Sequence, residues 1–166
     1  MSYKKAVLLF AFAFIMQLSI INLININGIV PDLTLCLVIM ITFLFEDGFR
    51  YGAIGIISAL LLDLCTGQYV GISSLGMIIV MAGIVLLCRS MNRENKLSFV
   101  IVTAAGTLIY GLLLWLFMAM LGDPTGILYV LMYQPFYMAY NIVFSFILYL
   151  LMIKKAVRHR NDRYFV

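Results

Sequence analysis

Long apolar runs separated by short polar breaks make up most of this chain. The first run covers about residues 6–23, behind a basic start at Lys4 and Lys5. A turn at Asn25, Asn27 and Gly28 follows. Pro31 and Asp32 then open a second run, over about residues 30–45. Proline is tolerated in a helix's first turn, and a carboxylate there suits the macrodipole. A polar turn over 46–50 leads to a third run over about 51–65, and a turn over 66–71 leads to a fourth over about 72–88. The most polar loop, 89–96, precedes a fifth run over about 97–121. A turn over 122–126 leads to the last run, about 128–153, where a break is expected near Pro135. Strands that cross a membrane alternate apolar and polar residues. These runs are continuous, so they predict helices, which satisfy their own backbone groups. The expectation is an all-α fold of six helices forming one domain over residues 1–166.

Composition turns these helices into membrane spans. The chain is 65% hydrophobic and 11% charged, with a mean hydropathy of +1.12. Soluble domains run at about 45–50% apolar and about 25% charged residues. A fold in water could not hide this much apolar surface, so the bilayer is the expected solvent. A basic start before an apolar run also resembles a signal peptide. This run is long for one, and the asparagines after it offer no small-residue cleavage site, so a retained first helix is expected. Helices two and three, at roughly 24 Å, fall short of the roughly 30 Å hydrocarbon core. They fit where longer neighbours shield them.

The net charge of +4 reads as topology, and no nucleic-acid partner is expected. With six spans and the N-terminus inside, Lys4, Lys5, Arg50, Arg89, Arg93, Lys96, Lys154, Lys155, Arg158, Arg160 and Arg163 all fall inside. These are all eleven basic residues, which satisfies the positive-inside rule. Asp32, Asp63 and Asp123 fall outside. Both termini are then cytoplasmic. Cys36, Cys65 and Cys88 follow no metal-ligand spacing and read as small core residues. A Cys36–Cys65 disulfide is conceivable, since both lie in the outer half.

Asp63 is the residue whose setting most demands a partner. It sits near the end of helix three in an oily segment, at the helix end that disfavours an anion. Free N–H groups around Ile72, Ser73 and Ser74 lie just across the turn. Asp63 is therefore expected to cap helix four; contact with a partner protein and ligand or ion binding are the alternatives. Asp32 reads as a cap of helix two, or with Asp63 as an outer acidic patch. Gly52, Gly55 and Ala59 put small residues along helix three, where another backbone can approach, within the chain or in a partner. Gly67, Gly71 and Gly76 continue the series, though Gly67 and Gly71 lie in a turn. Tyr129, Tyr133, Tyr137 and Tyr140 share one face if the last helix is continuous. They form an outer aromatic belt, or a polar groove with Gln134 and Asn141. Asp123 is read as a turn residue and His159 as solvated. No catalytic set, metal cluster or phosphate loop is present, so no enzyme and no cofactor are expected.

The order of these features resembles a known family. Pro31–Asp32 follows the first helix, and Gly52 and Gly55 open the third. LLLDL then stands at 60–64, followed by Gly67, Gly71 and Leu75–Gly76. The series resembles the bacterial rod shape-determining MreD family, most densely over residues 31–88. The resemblance implies a non-enzymatic subunit of the cell-elongation machinery in the bacterial cytoplasmic membrane. It implies association with MreC, whose single span carries a large extracytoplasmic domain. It also implies links to MreB, RodA and a class B penicillin-binding protein. The role implied is to couple peptidoglycan synthesis to rod shape, and no catalytic residue is carried over. The family is similar in fold to the substrate-binding subunits of energy-coupling-factor vitamin transporters. The alternative is therefore a small-molecule binder, with Asp32, Asp63, Gln68, Tyr133 and Asn141 lining an outer pocket.

Overall fold

A computed structural model describes residues 3–19, 28–45, 47–66, 69–88, 91, 93, 95–122 and 125–164, with side chains in the last helix up to residue 153. Six helices follow in order: α1 (Tyr3–Ser19), α2 (Leu33–Leu44), α3 (Gly48–Thr66), α4 (Ile72–Leu87), α5 (Lys96–Met120) and α6 (Ile127–Tyr164). α3, α5 and Ile127–Ile153 of α6 are long and apolar enough to cross a membrane, while α2 and α4 are shorter apolar helices. The turn expected at Asn25 and Asn27, together with Gly67, Gln68 and Asp123, lies outside the described residues.

α2 is the axis of the bundle. Every residue from Thr34 to Leu44 is buried, and each of the other helices packs against it. A helix apolar all round belongs in a core. Around it run α1, α3, α4, α5 and α6, each packed on the next. The ends of α2 are held by opposite charges. At its start the Asp32 carboxylate accepts the Leu35 N–H at 2.8 Å. At its end Arg93 donates to the Phe45 carbonyl at 3.0 Å. An anion at the N-terminus and a cation at the C-terminus both complement the macrodipole.

Helix α3 can approach this axis because its facing residues are small. A Cβ on Gly48 would lie 2.6 Å from the Ile41 carbonyl oxygen, and one on Gly52 would lie 2.6 Å from the Met81 sulfur. A Cβ on Gly55 would collide with Val38 of α2 and the Phe10 ring of α1. Phe10 is fully buried, in a stripe with Ala6 and Ala13 on one face of α1.

Five expectations are corrected. α2 is only 12 residues long, about 18 Å, because Asp32 fixes its start and the Phe45 backbone turns extended. α3 begins at Gly48, not near 51, because the Asp47 carbonyl accepts the Arg50 and Tyr51 N–H groups at 3.0 and 3.3 Å. That leaves α3 with 19 residues, long enough to span. α6 does not break at Pro135. Proline removes one helical hydrogen bond and costs about 3 kcal/mol. The adjacent Gln134 anchors the site by donating to the Thr107 carbonyl at 2.9 Å, over the space left by Gly111. The same helix continues to Tyr164, past the expected end at 153. Finally, Cys65 is exposed and not the core residue expected, whereas Cys36 and Cys88 are buried as read; Cys36 and Cys65 are free, without the conceivable disulfide.

The ends of the bundle differ in charge. Tyr3 packs edge-on to Tyr51 at 5.2 Å, which puts the starts of α1 and α3 together. Phe99 stacks on Tyr149 at 4.4 Å and lies 5.5 Å from Phe43, which adds the start of α5 and the ends of α2 and α6. Lys4, Lys5, Arg50, Arg93 and Lys96 belong to this end. Asp32 and Asp63 belong to the other.

Candidate functional site

The acidic end contains a cavity of about 330 Å³ between α1, α2, α3 and α4. Asp32, Asp63, Gln17 and Ser73 supply its polar lining, and Leu18, Val30, Ala59, Leu62 and Met77 its apolar wall. Each polar group is placed by a backbone end that needs it.

Asp63 stands in the last turn of α3 and is 6% exposed. Its Oδ2 accepts the Gly71 N–H at 2.9 Å and the Ser73 N–H at 3.1 Å. These are free donors at the start of α4, and a carboxylate satisfies them with charge-assisted bonds. The geometry needs Gly71, which caps α4 with φ +94, a left-handed conformation that side chains disfavour. Ser74 closes the turn by donating from its hydroxyl to the Gly71 carbonyl at 2.8 Å.

Asp32 is the N-cap of α2 and shares the cavity with Asp63, so it serves both as a cap and as part of an acidic pair. The strand of chain leading into it is clamped from two sides. Gln17 of α1 donates to the Pro31 carbonyl at 3.2 Å and accepts the Leu33 N–H at 2.9 Å. Asn141 of α6 accepts the Asp32 N–H at 2.9 Å through its side-chain oxygen. Behind this contact Cys36 donates from its thiol to the Asn141 backbone carbonyl at 3.5 Å.

The other expected residues divide. Gly52 and Gly55 lie inside the bundle, and a Cβ on Gly76 would press on the Tyr110 ring at 3.1 Å, so these three serve internal packing. The four tyrosines do not form one surface. Tyr129 and Tyr133 pair at 4.3 Å, with Tyr129 exposed, whereas Tyr137 packs against the core beside Asn141. Tyr140 is half-buried, and Gln134 is committed to α5. Tyr133 does not line the cavity.

Gln17 and Arg93 are not singled out by sequence reasoning. A lone amide near the end of an otherwise apolar helix was a usable signal for Gln17. Arg93 stands among other charged loop residues, and nothing local marks it as the cap of α2. Among the described residues, no group of three or more His, Cys, Asp or Glu could hold a metal ion. The cavity offers hydrogen-bond acceptors and negative charge.

No curated protein and no solved structure matches this chain. The family model for the rod shape-determining protein MreD matches residues 4–156, from the basic start of α1 to the basic end of α6. The chain belongs to the rod shape-determining protein MreD family.

Proposed function

We propose that this protein is a non-enzymatic scaffold subunit of the bacterial cell-elongation machinery. The chain crosses the cytoplasmic membrane six times, with the short α2 enclosed by its longer neighbours, and both termini face the cytoplasm. The protein holds the single span of MreC and so couples peptidoglycan synthesis to rod shape. MreB, RodA and a class B penicillin-binding protein complete the larger assembly. The family match over residues 4–156 is the observation that carries this reading. The gathering of basic side chains at one end of the bundle supports the orientation. Co-purification tests the partnership: MreC recovered in a defined ratio with the tagged full chain supports it, and a chain purified free of MreC from cells that make both contradicts it.

A second reading, the substrate-binding subunit of an energy-coupling-factor vitamin transporter, draws on the polar cavity, whose volume suits a small ligand. Mass spectrometry of the purified protein separates the two, because only the second requires a retained vitamin-like molecule.

A further inference from the structure

Three cations crowd the basic end where α1 and α3 begin. Tyr3 and Tyr51 hold the two starts together, with ring centroids 5.2 Å apart. Lys4 follows the first tyrosine and Arg50 precedes the second, and Lys5 is next to Lys4. All three cations are exposed, and among the described residues none pairs with a carboxylate. Asp47, just before α3, sets a single negative charge against three positive ones. Arg93 is already committed to the Phe45 carbonyl.

The helices sharpen this excess. A helix N-terminus carries a positive partial charge, which acidic residues in the first turn offset. Neither α1 nor α3 has an acidic residue there. Lys4, Lys5 and Arg50 occupy those first turns instead. The positive-inside rule asks only for cations on this side, and Arg93, Lys96 and the segment after 153 supply them. Three more at two positive helix ends are unfavourable until an anion joins them.

The surface beside these cations is apolar and faces outward. Lys4, Leu8 and Ile15 share one face of α1, and Leu8 and Ile15 are exposed. Arg50, Ile57 and Leu61 share one face of α3, and Ile57 and Leu61 are exposed. The packed faces are the others, with Ala6, Phe10 and Ala13 on α1 and Gly52, Gly55 and Ala59 on α3. Each helix therefore carries a cation at the head of a lipid-facing stripe. α3 is long and apolar enough to cross a membrane, which puts Arg50, in its first turn, at the depth of the headgroups.

We propose that the α1–α3 edge binds an anionic phospholipid. Its phosphate sits among Lys4, Lys5 and Arg50, and its acyl chains run along the stripes that Lys4 and Arg50 head. Charge complementarity selects an anionic headgroup, and the apolar stripes beneath it select a lipid over a soluble acidic partner. The inference needs only a chain embedded in a bilayer, so it stands apart from the scaffold reading.

The test uses the full-length protein in neutral maltoside detergent, titrated with dioleoylphosphatidylglycerol. Dioleoylphosphatidylcholine, inorganic phosphate and a polyglutamate peptide are the comparisons. The proposal expects a saturable rise in Tm with phosphatidylglycerol, weakened by salt, and none with the other three. A Lys4→Gln/Lys5→Gln/Arg50→Gln variant weakens the apparent affinity at least about tenfold. A Lys154→Gln/Lys155→Gln/Arg158→Gln variant removes as many charges elsewhere and keeps the wild-type affinity. The wild-type comparison of the two lipids decides the matter even where the first variant fails to insert. No saturable effect of phosphatidylglycerol, an equal effect of phosphatidylcholine, a matching rise with phosphate or polyglutamate, or equal losses in the two variants would overturn the proposal.

Discussion

The side-chain oxygen of Asn141 lies 2.9 Å from the backbone nitrogen of Asp32, joining two residues 109 positions apart. The contact fixes the start of the central helix against the last one. It also sets the height of Asp32 within the bundle. Replacing Asn141 with leucine keeps the volume but strands the Asp32 N–H, which costs about 1–3 kcal/mol. A lower Tm in detergent-solubilised protein is expected. An unchanged Tm would mean that Gln17 and Pro31 alone hold the segment.

Asp63 is expected to show a graded response. Asp63→Ala leaves the Gly71 and Ser73 N–H groups without an acceptor and destabilises by about 1–3 kcal/mol. Asp63→Asn keeps the acceptor and loses less. Thermal unfolding of the two variants side by side checks the order. Equal losses would show that the charge, and not the cap, supports the turn.

The glycines separate by what surrounds them. Gly55→Ala drives a methyl group into Val38 and Phe10 and should destabilise by about 1–3 kcal/mol. A Phe10→Leu change in the same chain should recover part of that loss. Gly83→Ala meets nothing within 4 Å and should be neutral or stabilising by up to about 1 kcal/mol. Thermal unfolding of the four proteins decides the matter.

Orientation is open to direct labelling. In a cysteine-free background, Lys96→Cys and Thr66→Cys place exposed thiols at opposite ends of the bundle. A membrane-impermeant maleimide added to intact cells should label position 66 and spare position 96. The reverse pattern would invert the proposed topology.

Much of the fold was legible because continuous apolar runs can only be helices, and short polar breaks separate them. The Asp63 contact was legible for a similar reason: a carboxylate at the wrong end of one helix faces unpaired donors across a short turn. The central place of α2 was not. Lipid and protein core are equally apolar, so composition cannot tell a helix wrapped by protein from one bathed in lipid. Pro135 misled because its neighbour Gln134 is anchored by α5, a contact far away in sequence. Gly48 was read as part of a turn, although its lack of a side chain is what lets α3 start against Ile41 and Thr42. Tyr137 looked like a surface residue because periodicity locates a face but not what covers it.

The role in cell shape is tested most directly by depleting this protein in its own host and following cell width. Progressive rounding, reversed when the full chain is expressed again, is the result expected of a scaffold of elongation. Cells that keep their width and rod form after the protein is gone would contradict it.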